Sequence, residues 1–107
     1  MSDLTRTDVI KLIAIATMPL DLTGVNLSKT NLSNLNLRGA NLSFASLSYA
    51  NLTRADLSYA DLSYADLTGV NLSEAILNRA NLSGFNLSGA DLILSGADLT
   101  NAIGYNK

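Results

Sequence analysis

A chain of 107 residues is one domain at most, and it is short for a deep globular core unless each segment packs on a repeated neighbour. Its formal charge of −2 and pI near 4.7 exclude the basic stripe of a nucleic-acid-binding surface, so no direct nucleic-acid contact is expected. Without cysteine or histidine there are no disulfides, no thiolate nucleophile, and neither the commonest general base nor the commonest metal ligand.

Residues 1–19 stand apart from the pattern that fills the rest of the chain. Leu4, Val9, Ile10, Leu12, Ile13, Ile15 and Ala16 recur at helical spacing, with Arg6, Asp8 and Lys11 among the polar positions. Thr5, followed three residues later by Asp8, suits a capped helix start, and Pro19 marks its stop. These features predict an N-terminal cap helix within 1–19, the terminal unit that a stacked repeat requires. A membrane-surface helix would carry more lysine and arginine. The apolar stretch over residues 9–20 is broken by Lys11, Thr17 and Pro19 and is too short for a bilayer, which needs roughly 20 apolar residues. Ala14-Ile15-Ala16 resembles a signal-peptidase site, but Asp3 and Asp8 precede it and Lys11 splits the apolar segment. No signal peptide, no membrane contact and a cytoplasmic location are therefore expected.

From Leu22 to Leu92 a leucine occupies every fifth position without a miss. A mostly small apolar residue lies two before it, Asn or Asp one before, and Ser or Thr one after, as in Ala60-Asp61-Leu62-Ser63-Tyr64. A period of five is neither helical nor a plain strand alternation; it fits a short extended piece followed by a corner. Ala60 and Leu62 lie two apart and point the same way, inward, which leaves the other three positions facing water. Gly24, Gly39, Gly69, Gly84 and Gly89 all fall two residues after the leucine, where a corner with positive φ favours them.

Over residues 20–102 these consecutive units resemble the pentapeptide-repeat family. The resemblance implies an all-β solenoid: a right-handed quadrilateral β-helix of about four coils, each of roughly 20 residues. The N-terminal α-helical cap read above precedes it, and residues 103–107 form a C-terminal tail. If residue n stacks on n+20, no two Asp residues before the central leucines meet, and Arg54 falls on Glu74. Phe85 falls in a column with Val25, Ala45 and Ala65, and only the open last coil has room for it. Leu92 is followed by Leu99, which places a two-residue insertion around Ile93 and Leu94.

No serine has a base to activate it, a bore filled with leucine offers no pocket, and the calcium-binding glycine-aspartate repeat is absent. Neither catalysis, nor a cofactor, nor a metal is expected. The expected function is a non-catalytic structural or protein–protein interaction module with an unknown protein partner. The resemblance also implies an alternative, because quinolone-resistance members mimic duplex DNA and bind DNA gyrase. Seven acids against four bases over residues 20–102 leave three net negatives, about a quarter of the density of a duplex with one charge per ~1.7 Å. Phe44, Tyr49, Tyr59 and Tyr64 all fall at the corner position. Phe44, Tyr59 and Tyr64 flank the side holding Asp61, and Phe44, Tyr59, Asp61 and Tyr64 form the candidate protein-binding surface. The other reading of the rings is that they stack between coils and shield the corner. Phe85, Ile93, Leu94, Leu99, Ile103 and Tyr105 form an apolar C-terminal end, a candidate homodimer interface, unless Ile103 and Tyr105 fold back to plug their own bore.

Overall fold

Thr5 and Asp8 start the first element as their spacing predicts. In the computed structural model, which describes residues 3–17, 19–85 and 93–104, the Thr5 hydroxyl accepts from the Asp8 N–H at 3.2 Å, and the Asp8 carboxylate accepts from the Thr5 N–H at 3.0 Å. This reciprocal pair satisfies two otherwise orphaned donors and opens helix α1 (Arg6–Ile15), which stops where Ala16 turns extended. Val9 is fully buried, and Leu4, Leu12 and Ile13 pack against the same core, while Ile10 and Ile15 face solvent.

The approach to α1 also meets the backbone edge of the first repeats. The Asp3 N–H donates to the Asn26 carbonyl at 2.7 Å, and the Asp3 carboxylate accepts from the Asn26 N–H at 2.9 Å. The Arg6 guanidinium donates to the carbonyls of Asn31 at 3.0 Å and Ser33 at 2.9 Å. In later turns a neighbouring coil supplies such partners; here Asp3, through backbone and side chain, and the Arg6 side chain do, which leaves less open edge for another chain to pair with. Arg6→Ala is expected to lower stability by about 1–3 kcal/mol, the range for hydrogen bonds from a charged donor. Amide exchange should quicken first around residues 26–34; unchanged protection there would show that these bonds contribute nothing.

The units from Asn41 to Asp61, with a coil on either side, all make the same set of bonds. Around Leu62, its N–H donates to the Asn81 carbonyl at 2.7 Å, the Tyr64 N–H to Ser83 at 2.8 Å, and the Asp61 N–H to Ala40 at 2.9 Å. The Ala65 N–H closes the corner onto the Leu62 carbonyl at 3.1 Å. Three bonds run between coils and one stays inside the turn, so the backbone of a residue with only one strand-like position is still fully used. The corner residue takes positive φ in every described unit. Gly24, Gly39, Gly69 and Gly84 do so as expected, but so do Lys29, Asn34, Phe44, Tyr49, Arg54, Tyr59, Tyr64, Glu74 and Arg79. The intercoil ladder imposes this conformation on side chains that would otherwise avoid it.

The central leucines from Leu27 to Leu77 are essentially inaccessible, and Ala40, Ala45, Ala50, Ala55, Ala60, Ala65, Ala75 and Ala80 line the bore beside them. The bulkiest residues at the alanine position lie toward the two ends, Leu35 near α1 and Phe85 near the last turn, where Phe85 is half-buried against the core, while the middle admits nothing larger than Val70.

One expectation needs correcting. The Ser or Thr after each leucine does not simply face water, since Ser43, Ser58 and Thr68 are buried. Its hydroxyl and N–H both donate to the Asn or Asp two residues earlier, as Ser63 does to Asp61 Oδ1 at 2.6 Å and 2.9 Å. The polar letters of the repeat are a local hydrogen-bonded turn that holds the corner in place.

Parallel bridges join residues 20 apart, from Asp21 with Asn41 to Asp61 with Asn81. The spacing then becomes 22, pairing Asn71 with Ile93, Ile76 with Asp98 and Asn81 with Ile103. The two extra residues therefore enter between Phe85 and Ile93 and not at Ile93 and Leu94. Leu94 stands in the central-leucine place, stacked on the Leu72 position. Ile103 bridges Asn81 in the same ladder.

Candidate protein-binding face

Two corners carry most of the aromatic surface. Phe44 and Tyr64 stack with centroids 5.2 Å apart and planes 11° from parallel, as their 20-residue separation predicts. The next residue of that column is Gly84, and a Cβ there would come within 2.6 Å of the Tyr64 ring. Tyr49 covers Gly69 in the same manner. In both columns the last ring leans over a glycine, where a side chain would collide with it. Asp61 sits on the side between the Tyr59 and Tyr64 corners, in a ladder with Asn41 and Asn81. It is half-buried, and one carboxylate oxygen is committed to Ser63.

Tyr59 has company that the repeat pattern did not single out. The Arg38 guanidinium lies 4.9 Å from the ring centroid and that of Arg79 lies 5.8 Å from it. Arg79 is Tyr59 plus 20, so column arithmetic could have found it. Arg38 sits one place before the corner of the preceding coil and has to reach across to the ring. Arg54 and Glu74 form the expected intercoil pair, Nε to Oε1 at 2.8 Å.

Asp21, Asp56 and Asp98 of the repeat are held in the charged form by bonds within their own turns. Burial of Asp56 works against its charge, but the Ser58 hydroxyl and N–H, at 2.6 Å and 3.0 Å, together with nearby Arg38, outweigh it and lower its pKa. Bonds from Thr23 and Thr100 lower Asp21 and Asp98 likewise, and bonds from Thr5 lower Asp8. A carboxylate lowered on folding stabilises the fold above the ordinary value of 3.8, and this is lost as pH falls through the lowered value. The melting temperature should thus hold down to that ordinary value and drop below it. Asp56→Asn keeps the acceptor, as the Asn residues of sister units do, and should blunt the drop; an identical acid profile for wild type and variant would refute this account.

The family model for pentapeptide repeats matches the chain in eight copies, over residues 21–58, 36–73, 55–92 and 65–103. The chain belongs to the pentapeptide-repeat family. No curated protein matches it. Among solved structures, this pentapeptide-repeat protein is 38% identical to alr5209 from Nostoc Pcc 7120, covering 88% of this chain and 73% of that one at a TM-score of 0.67. It is 43% identical to Rfr23 from the cyanobacterium Cyanothece 51142, over 73% of this chain and 55% of that one, at a TM-score of 0.59. It is 35% identical to AT2G44920 from the Arabidopsis thaliana thylakoid lumen, over 78% of this chain and 60% of that one, at 0.51. It thus spans just over half the length of the Cyanothece protein. All three neighbours are pentapeptide-repeat proteins, a family of β-helices.

Of the six residues expected at an apolar end of this pentapeptide-repeat protein, Phe85, Leu94 and Leu99 are half-buried against the core. Ile93 and Ile103 take the outward Asn/Asp place on two different sides, and both are exposed. They flank the last turn and do not cover its open end, because each lies one residue from an inward position and side chains alternate. Tyr105 lies outside the described residues. No described helix is long and apolar enough to cross a membrane.

Proposed function

We propose that this pentapeptide-repeat protein works without catalysis or cofactor, as a rigid module that binds a protein partner on the face carrying Phe44, Tyr64, Tyr59 and Asp61. One observation carries this reading. The Phe44–Tyr64 stack is ordered against itself and over Gly84, yet its rings are 64% and 59% exposed. Stacking explains why the rings adjoin but leaves their outer surface uncovered. Aromatic groups fixed before binding lose little entropy on contact, which is the economy of an interface anchor. Membership of the family supports the same reading, since pentapeptide-repeat proteins are generally structural or interaction modules and not enzymes.

The scaffold under this proposal is a right-handed, four-sided helix of about four coils closed at its N-terminal end by α1; the 20-residue ladder and the Asp3 and Arg6 bonds support it. Its C-terminal edge pairs with a second copy through Phe85, Leu94 and Leu99. Among the described residues, the N–H groups of Leu94 and Leu99 and the carbonyl of Ala97 have no partner, so the edge offers both donors and acceptors to a two-fold mate. Sedimentation equilibrium should return a dimer for the wild type and a folded monomer for Leu99→Lys; a monomeric wild type at tens of micromolar would dismiss the pairing.

The partner reading is tested by affinity capture with wild type and with Phe44→Ser/Tyr64→Ser, after both are shown to melt alike. A protein retained by the first and lost by the second is expected. Equal retention by both would overturn the assignment of this face. Potent inhibition of gyrase supercoiling by either form would favour the DNA-mimic alternative.

A further inference from the structure

The Tyr59 corner holds two positive charges against one ring. Arg38, Ser58, Tyr59, Asn78, Arg79 and Asn101 line a cavity of about 250 Å³ beside it, and no carboxylate is among its lining residues. Neither guanidinium forms an ion pair among the described residues, in contrast to Arg54. Asp56, whose charge Arg38 feels, directs one oxygen to both Ser58 bonds, and Asp98 accepts from Thr100 and, at 3.5 Å, from the Asn78 amide; neither carboxylate forms an ion pair with Arg38 or Arg79 among the described residues. Packing a guanidinium on an aromatic face restrains it while leaving its N–H edge free for a planar or tetrahedral anion. Two such cations on one ring repel each other, and the repulsion is relieved by a ligand bearing about two negative charges.

We propose that the cavity between Arg38, Tyr59 and Arg79 binds a phosphate monoester, with both guanidiniums donating to the phosphoryl oxygens and Asn78 and Asn101 completing the polar wall. Charge decides the class. A dianion matches two fixed cations, whereas a single carboxylate neutralises only one. Arginine forks also bond phosphate oxygens in pairs, a strong form of charge-assisted hydrogen bond. The ester has two sources, a free small phosphate or a phosphorylated side chain on another protein. The site needs no contact with the Phe44–Tyr64 stack and stands or falls apart from it.

The test titrates the whole chain at constant ionic strength and follows the Nε–Hε signals of its arginines. The probes are inorganic phosphate, acetate, and a phosphoserine peptide beside its unphosphorylated form. The Arg38 and Arg79 signals should move saturably with phosphate and little with acetate, while Arg54 stays still. Arg38→Gln and Arg79→Gln should each weaken binding about tenfold or more, and Phe44→Ser/Tyr64→Ser should leave it unchanged. Tighter binding of the phosphopeptide than of free phosphate assigns the ligand to a protein; the reverse assigns a small molecule. Unsaturated drift shared by Arg54, equal response to acetate, or binding intact in both glutamine variants would overturn the proposal.

Discussion

Leu62→Ala should lower the unfolding free energy by about 2–5 kcal/mol, the range for emptying a leucine-sized space in a core. The upper part of that range is expected because the site cannot collapse. Leu62 is fully buried, and the bonds from Leu42 N–H to Asp61 and from Leu62 N–H to Asn81, both 2.7 Å, hold the coils at a set spacing above and below it. The void therefore stays open. Leu94→Ala, at a half-buried position of the last described turn, should cost less. Ser63→Ala provides the contrast. Its hydroxyl is half-buried and bonded to Asp61, so about 1 kcal/mol is expected and not the near-zero cost of a free surface serine. Urea denaturation measures all three. A serine change more damaging than Leu62→Ala would reverse the inward and outward assignment of the repeat.

Gly84→Ala is the second large effect, at about 2–3 kcal/mol, and Gly24→Ala separates its two causes. Both glycines have positive φ, +68° and +70°, where an added Cβ costs about 1–2 kcal/mol. Around Gly24 nothing lies within 4 Å of the new carbon, so that strain is the whole cost. At Gly84 the Cβ meets two atoms of the Tyr64 ring at 2.6 Å, and the ring must leave its place. The stack on Phe44 then breaks, which should appear as a change in the tyrosine near-UV signal. Tyr64→Ala in the Gly84→Ala background should recover the excess over Gly24→Ala. Equal costs at the two glycines would show that the ring moves aside freely.

What the sequence by itself determined were features repeated at a constant spacing or confined to a few neighbouring residues. The five-residue period placed the leucines and alanines inside; Thr5 and Asp8 announced the start of α1; and a spacing of 20 matched Phe44 with Tyr64 and Arg54 with Glu74. The capping pair is local, three residues apart at a helix start, and the others follow from periodicity, because a stacked coil turns sequence separation directly into spatial neighbourhood. Features that break the period, or depend on the reach of a long side chain, were decided only by the tertiary structure. The leucine count revealed two extra residues, but Ile93-Leu94 reads equally well as insertion or as repeat, and only the ladder to Asn71 distinguishes them. The turn bonds of Ser63 need a backbone corner already formed before the hydroxyl can reach Asp61. Arg6 finds the first coil's carbonyls, and Arg38 finds Tyr59, across distances that no residue spacing encodes. A flexible side chain with several rotatable bonds can reach more than one column, and the packed neighbours select which.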